Sequence, residues 1–154
     1  SSVCFVDILK TIGVLAFYWC TSLKTVSIPD SVIEIGQQAF YLCSLTGIFL
    51  PTSVQMVKGA AFSLNLLQSV EIGPSESIFL GEHAFAGNPD LVNATVWTKK
   101  VTMSNNAFHH TALTNLLFKI IRLDKMTFNK LSKVIIFLFI FIRLFTIIPK
   151  YSVI

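Results

Sequence analysis

The chain has 154 residues, of which 53% are hydrophobic and 13% are charged. This composition excludes an intrinsically disordered chain, which needs few apolar residues and many charges. Three cysteines are too few for a small fold held together by disulfides. Residues 1–98 carry a net charge of −4 and residues 99–154 a net charge of +8. Since a nucleic-acid binder needs a basic face on its folded domain, we predict no nucleic-acid partner.

The dipeptide Ala-Phe recurs every 22 or 23 residues through the first two thirds of the chain. Its copies are Ala16-Phe17, Ala39-Phe40, Ala61-Phe62, Ala84-Phe85 and Ala107-Phe108. Three residues before each alanine stands a glycine or a substitute, namely Gly13, Gly36, Lys58, Gly81 and Ser104. Self-similarity at a fixed period of this length indicates stacked structural units that share one continuous core.

Each unit contains a segment with the pattern of a half-buried strand. In residues 23–28, apolar Val26 and Ile28 alternate with polar Thr25 and Ser27, which is the period of a β-strand. The following Pro29 is expected to end that strand, and Gly36 to supply a turn with positive φ. The sequence therefore predicts a mainly β repeat solenoid with short turns and helical segments.

A second series of positions carries small residues that form hydrogen bonds. These residues follow each Ala-Phe phenylalanine by three positions: Cys20, Cys43, Asn65, Asn88 and Thr111. Such side chains are suited to point inward and satisfy the backbone groups of the turns. Cys20 and Cys43 occupy the same position in adjacent coils, so they are either a bridged pair or two buried free thiols. No histidine or third cysteine shares the position, which argues against a metal site.

The segment of residues 23–43, LKTVSIPDSVIEIGQQAFYLC, resembles a repeat of the BspA-like leucine-rich repeat proteins, surface proteins of bacteria and parasitic protists. The resemblance covers about residues 10–118 in five copies. It implies adhesion or protein recognition at a cell surface, with no enzyme activity and no cofactor. The implied partner is a protein ligand, such as a host or extracellular-matrix protein.

The repeat pattern also predicts how the chain is divided. Residues 1–118 form the leucine-rich repeat solenoid, whose first repeat is truncated; residues 1–22 are interpreted as the second half of a repeat rather than as a signal peptide. Residues 119–133 form a degenerate repeat and basic linker. Two departures fall inside the solenoid: an extra residue between Pro74 and Ile78, and no proline in residues 96–99.

Residues 134–154 form a hydrophobic tail, and three interpretations of it remain open. The first is a membrane segment at residues 134–148, since the 18 residues 131–148 are just long enough to span a bilayer, although Arg143 opposes insertion by about 2.5–3.5 kcal/mol. The second interpretation is a coding artefact, out of frame or truncated, and the third is a degenerate capping coil.

We find no catalytic constellation in the sequence. His83, His109 and His110 flank Ala-Phe pairs at non-equivalent positions, which suggests solvated loop residues. No phosphate-binding glycine loop and no zinc-binding motif occurs, so we predict a protein without enzyme activity, metal or cofactor. Asn93, in the sequence Asn-Ala-Thr, is a glycosylation candidate if the chain is exported.

The predicted binding face is the exposed side of the strands, since solenoids commonly bind ligands along such a surface. The candidate ligand-binding residues are Phe49, Glu71, Trp97, Thr25 and Thr95. We therefore expect a non-enzymatic interaction or adhesion module of a cell-surface protein, either extracellular or anchored to the membrane. The alternative is an intracellular repeat scaffold, or a truncated fragment that has no ligand of its own.

Overall fold

The computed structural model describes residues 2–3 and 8–118, all within one compact unit of the chain. The described residues form no helix and nine strands: β1 (Ser2–Val3), β2 (Thr11–Ile12), β3 (Thr25–Val26), β4 (Glu34–Ile35), β5 (Gly47–Leu50), β6 (Met56–Val57), β7 (Ser69–Leu80), β8 (Asn93–Met103) and β9 (Asn115–Phe118). All pairings are parallel, with partners 22 to 24 residues apart in sequence. This is a parallel β-solenoid, as the repeat predicts, but the described residues have turns where short helical segments were expected. The predicted C-terminal hydrophobic helix lies outside the described residues.

The strands form two sheets. β1 pairs with β3, and the remaining strands form one sheet in the order β2-β4-β6-β7-β8-β9, with β5 also paired to β7. Each coil has a first strand, a second strand and an Ala-Phe turn, and we name the coil by its phenylalanine. In the Phe85 and Phe108 coils the first and second strands are continuous, because β7 and β8 each span both.

The predicted alternation of buried and exposed residues is present in the first strands. Ile48 and Leu50 are buried in the core, and Phe49 between them is exposed. Gly47, at the start of the strand, is half-buried. Pro29 is predicted to end the first such strand, and β3 does end before it, at Val26. Pro51 likewise follows β5, whereas Pro74 of the next repeat lies inside β7. The pairing of β7 with β8 shifts register between Ile72 and Ser75, and the exposed Pro74 occupies this irregularity, where no ladder hydrogen bond needs its missing N–H.

The core is organised around a column of stacked phenylalanine rings. Phe17, Phe40, Phe62, Phe85 and Phe108 form consecutive pairs with ring centroids 5.1–5.3 Å apart and planes within 9° of parallel. The three central rings are completely buried. Leucines one turn later, Leu45, Leu67 and Leu91, are buried as well. Each coil thus buries its large ring against the same ring of its neighbours.

The Ala-Phe turns join the coils through backbone hydrogen bonds. The N–H groups of Phe40 and Phe62 donate to the carbonyls of Ala61 and Ala84 at 2.8 Å, and Phe17 and Phe85 make the same bond to the coils that follow them. The turn conformation requires a left-handed residue before each alanine, with φ between 53° and 61° at Leu15, Gln38, Ala60, His83 and Asn106. This conformation costs about 1–2 kcal/mol for a residue with a side chain. The hydrogen bonds between coils offset that cost.

Gly36 and Gly81 are needed for close packing between coils, and the expected positive φ is wrong for Gly36. The φ of Gly36 lies outside the left-handed region. Among the described residues, Gly87 is the one glycine whose φ is left-handed. A Cβ atom at Gly36 would lie 2.7 Å from the carbonyl carbon of Gly13, and one at Gly81 would lie 2.7 Å from the amide nitrogen of Gly59. These two glycines therefore permit the backbones of adjacent coils to touch.

The predicted inward ladder of small residues is present at Cys43, Asn65 and Asn88, which are buried, but it is wrong for Cys20, which is exposed at the first position of the series. The side-chain amide of Asn65 donates to the carbonyl of Phe40 at 2.8 Å and to that of Phe62 at 3.1 Å, while its Oδ1 accepts the Leu45 N–H at 3.1 Å. Asn88 repeats this arrangement one coil later, bonding to Leu67, Phe62 and Phe85. Each buried asparagine thus satisfies backbone groups of two coils, and removing it leaves them unpaired.

Cys20 and Cys43 are both free thiols in the structure. Cys20 is exposed, whereas Cys43 is buried and its Sγ donates to the carbonyl of Phe17 at 3.1 Å. Burial raises the pKa of the Cys43 thiol to about 11 from an ordinary value of 9.0. Cys43 therefore takes the structural position that Asn65 and Asn88 hold in later coils.

We expect alanine to be poorly tolerated at Gly36 and Gly81 because its Cβ overlaps the backbone of the preceding coil. Each substitution should lower the free energy of unfolding by about 1–3 kcal/mol. Gly13→Ala is the matched control, since Gly13 holds the same repeat position and a Cβ there meets no described residue within 4 Å. Urea unfolding followed by circular dichroism measures all three variants, and equal stability of G81A and G13A would contradict the packing.

The protonated state of Cys43 gives a pH-dependent prediction. Because its folded-state pKa is raised, its contribution to stability is complete below about pH 9 and is lost as the pH rises towards about 11. In the native protein at pH 8, iodoacetamide should modify Cys20 and leave Cys43 unmodified until the chain unfolds, as read by peptide mass mapping. Equal modification rates at the two thiols would show that Cys43 is not buried.

Candidate binding face

The outward side chains of the first strands form one continuous surface, which we call the strand face. Its central row consists of Phe49, Glu71 and Thr95, which are successive partners in the ladders of β5, β7 and β8. The adjacent row contains Gly47, Ser69 and Asn93. Neighbouring parallel strands lie about 4.8 Å apart. Three of the candidate residues are therefore brought together on one flat surface.

The remaining two candidates lie at the margins of the strand face. Thr25 is exposed in β3, and the Thr46 N–H donates to the Lys24 carbonyl at 3.4 Å, which places Thr25 beside Gly47 rather than in the central row. Trp97 follows Val96, the partner of Ile72, and is half-buried at the point where the β7–β8 register shifts. Thr25 and Trp97 thus flank the row of Phe49 from opposite ends.

Phe49 is the prominent apolar side chain of the strand face. It is 52% exposed, although its neighbours Ile48 and Leu50 are buried. A Cβ atom added to Gly73 would lie 3.3 Å from Cζ of Phe49, so the end of the ring rests over Gly73 in the next coil. The end of the ring therefore contacts the next coil, while about half of the side chain remains exposed to water.

Glu71 is exposed and takes part in no ion pair within the described part of the chain. Two other carboxylates there are paired between coils, Glu34 with Lys58 at 2.7 Å and Glu76 with Lys99 at 2.6 Å, whereas Asp30 and Asp90 resemble Glu71. Lys58 stands at a glycine position of the repeat, and its side chain reaches back to the preceding coil. Glu71 therefore leaves an uncompensated negative charge directly beside Phe49.

The histidines lie on the turns, away from the strand face. His83 and His109 have ring centroids 6.2 Å apart, and His109 and His110 have centroids 3.9 Å apart. The described residues contain no group of three or more histidine, cysteine or acidic side chains arranged to hold a metal ion. All three histidines lie in turns, as the sequence suggested.

Sequence reasoning did not single out an apolar group on the Phe17 coil. Val14, Leu15, Tyr18 and Trp19 are all exposed, with Trp19 at 63%. Tyr18 stacks on Tyr41 of the next coil with centroids 5.3 Å apart. The sequence does contain a signal for this exposed apolar group: large apolar residues stand on both sides of Ala16-Phe17, where the later coils carry more polar or smaller residues.

The tail predicted at residues 134–154, including the membrane segment at 134–148, lies outside the described residues. Among the residues that the structure does describe, no helix has the length and apolar character needed to cross a membrane.

Comparison with known protein families identifies the repeat. The model of the BspA type leucine-rich repeat region matches residues 2–135 in six copies. The comparisons with curated proteins and with solved structures gave no match. The family match covers most of the chain, including all described residues of the solenoid.

Proposed function

The chain belongs to the BspA-type leucine-rich repeat family, and on that premise we propose that it is a non-enzymatic adhesion module that binds a protein ligand through the strand face. Repeats of this family suggest a protein-interaction module. The observation that carries the proposal is the half-exposed ring of Phe49, whose ladder neighbours Gly47, Ser69 and Glu71 are small or polar. Aromatic residues are enriched at protein interfaces, whereas an isolated solvated sheet has no need of one.

The remaining candidates fit the same proposal. Glu71 and Thr95 adjoin Phe49 across the ladder, and Thr25 and Trp97 lie at its margins. The polar rows around the ring provide the rim that surrounds an apolar centre in a protein interface. Host and extracellular-matrix proteins are the ligands to be tested, because the proposed location is the cell surface or the extracellular space, with the tail at residues 134–148 as a membrane anchor.

The proposed location has a direct test. The chain, tagged inside the repeats and expressed in the cell it comes from, should be cleaved when intact cells are treated with protease. The tail should also resist extraction from membranes at alkaline pH. A cytosolic protein measured in the same cells reports whether they stayed intact. Repeats that remain protected, in a fully extractable chain, would exclude the surface location and favour an intracellular scaffold.

Phe49→Ala tests the strand face itself. We expect the variant to bind immobilised extracellular-matrix proteins at least about tenfold more weakly, since a central aromatic residue commonly contributes more than 1 kcal/mol at an interface. Leu66→Ala is the matched control, because Leu66 is 49% exposed, close to the 52% of Phe49, but lies outside the strand face. Surface plasmon resonance with a panel of purified matrix proteins measures both variants.

Stability must be measured alongside binding. Because about half of each side chain is already in water, both substitutions should lower the free energy of unfolding by only about 1 kcal/mol. If F49A binds as well as the unaltered chain to a matrix protein that the chain recognises, the strand face is not the binding surface.

A further inference from the structure

We propose that the strand face recognises an arginine side chain of its protein partner through Phe49 and Glu71 together, an inference that rests on the proposed function. The two residues are Cα partners in the ladder between β5 and β7, so their side chains emerge side by side on the same surface. One supplies an open aromatic face and the other a carboxylate.

The geometry of Phe49 favours a planar cation over a purely apolar ligand. The end of its ring contacts Gly73, where a Cβ atom would approach Cζ at 3.3 Å, and 52% of the side chain is exposed. A guanidinium group stacks on such a ring by cation–π attraction and keeps its edges free for hydrogen bonds. An aliphatic side chain would cover the ring but would leave the neighbouring carboxylate unpaired.

Glu71 supplies the complementary charge. It has no ion pair among the described residues, whereas Glu34 and Glu76 are already bound by Lys58 and Lys99. Residues 1–98 also carry a net charge of −4, so the surroundings favour a cationic ligand over an anionic one. A carboxylate accepts two parallel hydrogen bonds from a guanidinium group, which lysine cannot provide.

The surroundings of the pair permit a side chain to approach. Gly47 and Ser69, which precede Phe49 and Glu71 by two residues on the same surface, carry no bulky group. Thr95 borders Glu71 on the other side. A partner side chain can therefore reach both Phe49 and Glu71 without displacing another residue of the strand face.

The test uses blocked tripeptides as probes of the isotopically labelled full chain. Acetyl-Gly-Arg-Gly-amide should shift the amide resonances of Glu71 and Gly73, and the isosteric citrulline peptide, which is neutral, should not. Glu71→Gln keeps the shape of the side chain and should weaken binding of the arginine peptide about fivefold, the upper range for an exposed ion pair. Asp90→Asn, which removes an exposed carboxylate from a turn, should leave binding unchanged.

Two results would overturn the inference: equal shifts from the citrulline peptide, or unchanged arginine binding by E71Q. The proposed function fails separately, because it depends on the binding of F49A to matrix proteins. A strand face that needs Phe49 but does not distinguish arginine from citrulline remains a binding face with a different partner chemistry. An arginine preference that E71Q abolishes and D90N retains supports the pair as the recognition element.

Discussion

In the coils of Phe17, Phe40, Phe62 and Phe85, the phenylalanine amide donates to the alanine carbonyl of the next coil, and this hydrogen bond fixes the separation between coils. At 2.7–2.8 Å from nitrogen to oxygen, the bonds bring the backbones into direct contact. The other features of the coil follow from that contact. Glycine is required at positions 36 and 81 because a Cβ has no space, and the phenylalanine rings stack because their backbones are already in register. The buried asparagines satisfy the turn groups that the close stacking removes from water.

The strand face inherits its geometry from the same stacking. Stacking of the coils aligns Phe49, Glu71 and Thr95 as ladder partners, so the face is a row of side chains on adjacent parallel strands. Such a surface suits a macromolecular ligand better than a small molecule, which needs a concave site. Its specificity must then come from a few side chains, and the exposed ring beside an unpaired carboxylate is the most distinctive combination on it.

The sequence was sufficient for the architecture because the repeat is encoded in residue type. The spacing of Ala-Phe determines the coil length, and the alternation around Ile48 and Leu50 predicts that Phe49 faces outward. The left-handed residues were not predictable, since Leu15, Gln38 and Ala60 have no common chemical preference for positive φ. Hydrogen bonds between coils impose that conformation on them. The absence of an ion pair at Glu71 among the described residues was equally hidden, because it depends on which lysine reaches which carboxylate across coils.

Hydrogen–deuterium exchange at single-residue resolution tests whether the phenylalanine amide bonds hold adjacent coils together, since it reports each hydrogen bond between coils separately. We expect the amides of Phe40 and Phe62, although they lie in turns, to exchange as slowly as the strand amides of Val70 and Ile72. The hydrogen bonds of all four amides should open in the same cooperative unfolding event. Fast exchange at the phenylalanine amides, with protection confined to the strands, would contradict it. The strands alone would then hold the coils together.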